Sequence, residues 1–268
     1  MSRSRIHHAL PLLLLFSLPA GAEAPPAKLV PFGSAESAGR LESSRHKVDF
    51  LHLANQFESQ RNMASCGPAS AVIVLNTVRA DRAHPDKPTD TSQFPADLAT
   101  GLPPGFKPVA ARYTQQAFFD DKTEKVKSRA AFYGRPGADG KRDGGLQLRQ
   151  LHQILVAHGL DSRLRVADDT LDDKAIHKEL VENLGTEGDY VIINYFRPVL
   201  GQLGGGHISP LAAYDEKSDS FLVLDVNPSH AAWTWVPAAL LIKSMRTHDT
   251  VENRGYLLVR EGAATPAK

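Results

Sequence analysis

The sequence has 268 residues, with 42% hydrophobic and 23% charged side chains and a formal net charge of +1. That length suits one large domain or two small ones with a real core, and the composition excludes a disordered, collagen-like or membrane-spanning chain. Cys66 is the single cysteine, so no internal disulfide can form.

The chain opens with Arg3 and Arg5, an apolar run from Ala9 to Leu18, and Pro19-Ala20-Gly21-Ala22-Glu23-Ala24. A basic start, a short apolar segment and an Ala-x-Ala ending predict a secretory signal peptide over 1–24. The run is about half of the roughly 20 residues that span a bilayer. Cleavage after Ala24 implies a secreted, periplasmic product with no membrane attachment. It leaves 29 of the 31 basic and 29 of the 30 acidic side chains. A chain with that balance has no electrostatic footprint for nucleic acid or an anionic membrane.

Residues 25–48 are rich in Pro, Ser, Gly and charge and read as a flexible N-terminal segment. The run from Cys66 to Val78 places Ala69, Val72, Ile73 and Asn76 at helical spacing, with Leu75 and Val78 widening the stripe. Pro68 fits the first turn, where its missing N–H is not needed. Residues 88–144 are poorly periodic and turn-rich. Leu148, Leu151, Ile154, Leu155 and His158 mark a second helix, stopped by Gly159. Thr170 with Asp173 resembles a capping box opening a third, through Ile176, Leu180 and Leu184 to Gly185. Then come strand patterns at Tyr190–Phe196, His207–Tyr214 and Phe221–Val226, a helix near Pro237–Met245 and a last strand at Tyr256–Val259. Helices first and an antiparallel sheet afterwards predict an α+β fold. Residues 49–262 form the expected domain, followed by a tail at 263–268.

A lone thiol in an exported protein fits an inert packing group as well as a nucleophile. The surroundings of Cys66 favour the nucleophile. It opens the first predicted helix, whose dipole stabilises a thiolate and whose amides can face an oxyanion. Gly67 leaves the backbone accessible to a substrate. Of the histidines, His207 stands out, because it follows Gly204-Gly205-Gly206 and begins a strand. Asp225 ends the next strand, 18 positions on. Even pairing sums across the 215–219 turn would put His207 and Asp225 on one face, giving a thiol, a base and an orienting carboxylate. Gln60, six residues before Cys66, is placed to donate its amide to an oxyanion. No CxxC or HExxH spacing is present, so no built-in metal site or cofactor is expected.

Phe57-Glu58-Ser59-Gln60, Cys66-Gly67-Pro68-Ala69-Ser70 and Leu75-Asn76 resemble the nucleophile segment of the phytochelatin synthase family. Further along, Tyr195-Phe196-Arg197, Gly206-His207-Ile208-Ser209-Pro210, Leu222-Val223-Leu224-Asp225-Val226, Trp235-Val236-Pro237 and the Met245…Asp249…Arg254-Gly255 ending resemble the rest of its catalytic domain. The resemblance implies a papain-like fold. It also implies attack of Cys66 on the Cys–Gly bond of glutathione, release of glycine, and transfer of a γ-glutamylcysteinyl thioester to water or to another glutathione. Asn194, Arg197 and Gly206 then fall at the substrate, with Asn194 and Arg197 at the γ-glutamyl end. The implied partners are glutathione and related γ-glutamyl thiol peptides. Cadmium or zinc would act through metal–glutathione thiolates. Plant members carry a cysteine-rich C-terminal domain, whereas this sequence stops soon after the catalytic region. Ser65 and Ile208 stand where the family often has aromatic residues, which bears on pocket shape. The competing classes are a papain-like peptidase acting on Gly-containing peptides and a non-catalytic periplasmic thiol- or metal-binding protein.

Overall fold

The computed structural model describes residues 28–263, apart from 81–83, 85–86, 91–102, 104–105, 107–109 and 138. The expected signal peptide and the tail from 264 onward lie outside the described residues. The chain begins with β1 (Val30–Pro31), α1 (Ala35–Ser43), α2 (Phe50–Asn55) and α3 (Cys66–Val78). Next come the short β2 (Thr89–Asp90) and β3 (Ala110–Ala111), then α4 (Asp121–Val126), α5 (Arg129–Phe132), α6 (Leu148–Ala157), β4 (Leu160–Val166) and α7 (Asp173–Leu184). The remainder holds β5 (Asp189–Phe196), β6 (Gly206–Asp215), β7 (Ser220–Val223), β8 (Thr234–Pro237), α8 (Ala238–Met245) and β9 (Gly255–Glu261).

A seven-stranded sheet in the order β1-β8-β7-β6-β5-β9-β4 organises these elements, with every pairing antiparallel. Together with the helices it makes the α+β architecture. One face packs on α2, α3 and α6 through residues such as Ile192, Leu257 and Val259. The other packs on α7 and α8 through Val191, Ile193 and Leu258. Cover on both faces explains why Tyr190–Tyr195 is buried at every position and reads as a continuous apolar run. The same crowding buries α3 from Gly67 to Thr77 on all sides. It is a central helix, not the amphipathic one its stripe suggested.

Three sequence expectations change. The segment 25–48, expected to be flexible, folds from residue 28 onward as β1 and α1. Val30 pairs with Trp235, the Trp235 indole donates to Ser37 Oγ at 2.8 Å, and Arg40 reaches Ser220 Oγ at 3.1 Å. These partners lie 180 residues or more away in sequence, so composition cannot reveal them. Helix α7 is capped by Asp172, which accepts from Ala175 N–H at 2.7 Å, and not by Thr170, which donates to Asp168. Finally, β4 is an edge strand between two helices, so the sheet does not follow the helical half in simple succession.

Candidate active site

Cys66 is the first residue of α3. Ser65, at the N-cap, makes no side-chain hydrogen bond to the first turn, so the helix-start N–H groups remain available to an anion. The helix is fixed against β6 by Ser70 Oγ, 2.8 Å from Cys66 O and 3.1 Å from Ile208 O. Gly67 sits where a Cβ would come 3.1 Å from Leu146 Cδ1, so its small size lets residues 144–146 close over the helix start. Cys66 as a residue is partly exposed.

His207 comes to the thiol from the second position of β6. Its Nε2 lies 3.0 Å from Asp225 Oδ1, and the ring lines the same cleft as Cys66, close enough for each to shift the other's proton affinity. His207 and Asp225 meet only because β6 is irregular. Next to the turn, Tyr214 pairs with Phe221 and Asp215 with Ser220, which are odd sums of positions. A bulge between Leu211 and Ala213 shifts the register so that Leu211 pairs with Val223, an even sum. One extra residue in β6 thus brings His207 and Asp225 together.

Charge in this group is strongly coupled. Burial pushes the Cys66 thiol up, but the hydrogen bond and charge of His207, with the backbone amides of Ile208 and Gly67, outweigh it and leave the thiol below its ordinary value. Burial alone would lower His207, yet hydrogen bonds to Asp225 and Cys66 and their charges raise it. Burial likewise favours neutral Asp225, but His207, Arg197 and the Asn227 amide hold the carboxyl below its usual range. All three directions favour a thiolate beside an imidazolium backed by a carboxylate.

A cleft of about 390 Å³ opens over Cys66 and His207. Its far wall holds Asn194, Gly206, Asp249 and Arg254. Asn194 Nδ2 donates to Asp249 Oδ2 at 3.0 Å, and Arg254 Nη2 donates to Asp249 Oδ1 at 3.2 Å. The Arg254 guanidinium stacks 5.0 Å from the Phe196 ring centroid, while its Nε is buried without a hydrogen-bond partner. An anionic oxygen arriving in the cleft could satisfy that donor. Two larger concavities, about 510 Å³ between β4 and α7 and about 840 Å³ beside α5, are lined by neither cysteine nor histidine.

The structure therefore brings Cys66, His207 and Asp225 together and puts Asn194 and Gly206 on the cleft. Arg197 is not there. It is 2% exposed and donates to Asp225 Oδ1 at 2.8 Å and to Gln202 Oε1 at 3.1 Å, and it does not line the cleft. Gln60 is held near the Asp225 strand end by its backbone N–H to Val226 O at 2.8 Å. Its side-chain Nε2 donates to Asn62 O at 2.8 Å, so one of the amide's two N–H groups is already engaged. Asp249 and Arg254 are the residues that spacing did not single out. They lie in an irregular loop from Thr247 to Arg254, where periodicity carries no signal. Among the described residues no group of three or more His, Cys, Asp or Glu side chains is arranged to hold a metal ion.

Comparison with known proteins fits this geometry. A family model described as phytochelatin synthase matches residues 22–94 and 106–256. Glutathione gamma-glutamylcysteinyltransferase 1 of Arabidopsis thaliana is 27% identical over 246 residues, covering 88% of this chain and 42% of that protein. The protein of the same name from Triticum aestivum is 26% identical over 243 residues, covering 88% and 39%. Glutathione gamma-glutamylcysteinyltransferase of Schizosaccharomyces pombe is 25% identical over 230 residues, covering 85% and 46%. The chain spans less than half the length of the curated relatives it matches.

Proposed function

The chain belongs to the phytochelatin synthase family, and from that premise we propose that it is an acyltransferase that cleaves the Cys–Gly bond of glutathione. The observation that carries this reading is the Cys66–His207–Asp225 group, partly exposed at the cysteine and buried at His207 and Asp225, at the floor of a cleft whose far wall bears both charges.

In this reading the Cys66 thiolate attacks the carbonyl carbon between cysteine and glycine. The oxyanion faces the first-turn amides of α3 and the remaining N–H of Gln60. The His207 imidazolium gives its proton to the glycine nitrogen as the C–N bond breaks, and glycine leaves. The ring, now neutral, takes a proton from water or from the amine of a second glutathione. That nucleophile attacks the γ-glutamylcysteinyl thioester and the thiolate departs. Asp225 keeps the ring oriented throughout. At the other end of the substrate, Asp249 suits the γ-glutamyl ammonium and Arg254 its carboxylate, taking the role expected of Arg197. Asn194 stays beside Asp249, and Gly206 keeps the floor low beneath Arg254.

Several finer assignments belong to the same proposal. The arrangement of a nucleophile at the start of a buried helix against His and Asp on an antiparallel sheet supports a papain-like fold. The leader expected at 1–24 from its sequence pattern supports reaction outside the cytoplasm. Cadmium or zinc would enter as the metal–thiolate form of a glutathione substrate. The experiment is to mix the protein with glutathione, quench, and measure the intact mass alongside free glycine. One γ-glutamylcysteinyl group on Cys66, appearing with glycine and absent in Cys66→Ala, is expected. Glutathione left intact by a protein whose thiol still reacts would sink the reading. Cleavage of Gly-containing peptides alone would instead support a peptidase.

A further inference from the structure

Asp225 accepts hydrogen bonds from four donors. Oδ1 takes Arg197 Nη2 at 2.8 Å, His207 Nε2 at 3.0 Å and the Asn227 amide at 2.8 Å, and Oδ2 takes Tyr195 Oη at 2.9 Å. Tyr195 is 1% exposed, and Arg197 and Asp225 are 2% exposed. The Tyr195 ring stands edge-on to the His207 ring, with centroids 5.5 Å apart. We propose that Arg197 and Tyr195 are positioning residues that set the proton affinity of His207, Arg197 by its charge on Asp225 and Tyr195 by holding the second carboxylate oxygen.

Charge balance is decisive in so buried a place. With the nucleophile armed, thiolate, imidazolium, carboxylate and guanidinium form an alternating row with no net charge. Without Arg197 the remaining three carry a net negative charge away from water, where Coulombic terms are strong. An undamped carboxylate would hold the proton on His207 more tightly, and the imidazolium would then give it up less readily to the departing amine. A buried pair of this kind adds little to stability on its own, so its chemical effect is the more informative one. The other charged or titratable groups around His207 are Cys66 on α3, and the Arg254–Asp249 pair, which reaches Gly206. His230 approaches Gly204 and the Arg197 stem from the loop after β7. None of these touches Asp225.

The proposal rests on the reading of Cys66 and His207 as a catalytic pair, but its test needs no glutathione. The rate at which iodoacetamide alkylates Cys66 is followed across pH in the full chain. The wave that reports loss of the His207 proton is compared among variants. Arg197→Met should move that wave upward by about one pH unit, the effect of removing one neighbouring charge. Tyr195→Phe should move it in the same direction, roughly half as far, because charge is kept and one hydrogen bond is lost. Arg197→Lys restores the charge and should leave the wave at its wild-type position even where glycine release is slowed. Thermal melting of each variant establishes that it is folded. Waves that stay in place for folded Arg197→Met and Tyr195→Phe would overturn the proposal and leave both residues as packing groups. An equal upward shift in Arg197→Lys would overturn the role of charge. Failure of wild type to release glycine would count against the glutathione reading alone.

Discussion

The two walls of the cleft are built differently. One is α3 with β6 and the chain just past β7, where the thiol and ring hang from regular backbone and apolar side chains close the group in. Its carboxylate sits two residues beyond Val223, where β7 ends short of the strand expected to Val226. The other is the irregular loop from Thr247 to Arg254, closed on itself by Arg254 N–H to Thr247 O and Asp249 N–H to Glu252 O. On the first wall every polar partner of Asp225 is already in place. On the second, Asp249 and Arg254 partner each other, and Arg254 Nε has no partner. Bond-making needs groups that do not move during the reaction. Recognition of a charged end works with groups that exchange one another for the ligand. Under the proposed function, rate belongs to the first wall and affinity to the second.

The strongest way to break that assignment is His207→Ala. Glycine release should fall about 10³-fold or more. Stability should change little, because Asp225 keeps Arg197, Tyr195 and the Asn227 amide. Steady-state glycine assays and a thermal melt check both halves, and a collapsed melt would make the ring a structural part instead.

Next is pH. The Cys66 thiol is held below its ordinary value and His207 above its own, and both directions favour the ion pair that the proposed mechanism uses. Activity should be lost as acid protonates the thiolate and as base removes the imidazolium proton, giving a bell-shaped kcat/KM. Asp225→Asn removes the anion that raises His207, so the alkaline limb should move down. An unmoved limb in a folded variant would deny Asp225 that influence.

On the second wall, Arg254→Gln or Asp249→Asn should lower kcat/KM for glutathione by about tenfold to hundredfold, the worth of one charge-assisted contact. Most of the loss should appear in KM. Iodoacetamide should alkylate Cys66 at the wild-type rate in both variants. A fall mainly in kcat would merge the two walls into one catalytic unit.

The same contrast explains what was legible in the sequence. Cys66, His207 and Asp225 lie on or next to elements whose apolar strings announce them, and the helix from Cys66 to Val78 reads directly from its spacing. The bulge at Leu211–Ala213 did not read, because a one-residue slip in register leaves no mark in a run that is buried on both faces. Arg197 was misplaced for a related reason. An arginine at a strand end has the same one-dimensional signature whether it meets a substrate or a buried carboxylate, and only its 2% exposure separates the two. Asp249 and Arg254 had no periodic context at all. Likewise α1 and β1 depend on Trp235 and Ser220, partners far along the chain.

The smallest expected effect is also the sharpest probe, because it falls where the walls meet. Gly206 has open backbone geometry, so a side chain there is not resisted by strain. An added Cβ would come 2.9 Å from Arg254 Nη2 and 3.2 Å from its Nε. The guanidinium cannot swing away freely. It is tied to Thr247 Oγ1 at 3.0 Å and to Asp249 at 3.2 Å, donates to His248 O, and lies over Phe196. It must therefore shift by a few tenths of an ångström while keeping its anchors. Gly206→Ala should raise KM by about threefold to tenfold, a mild case of overpacking. His207 is the next residue, yet its ring is held by Asp225 rather than by Gly206. Unchanged kcat and unchanged alkylation of Cys66 are thus expected beside the raised KM. Equal losses in kcat and in alkylation would show that a displacement at Arg254 reaches the ring, and that the two walls do not act separately.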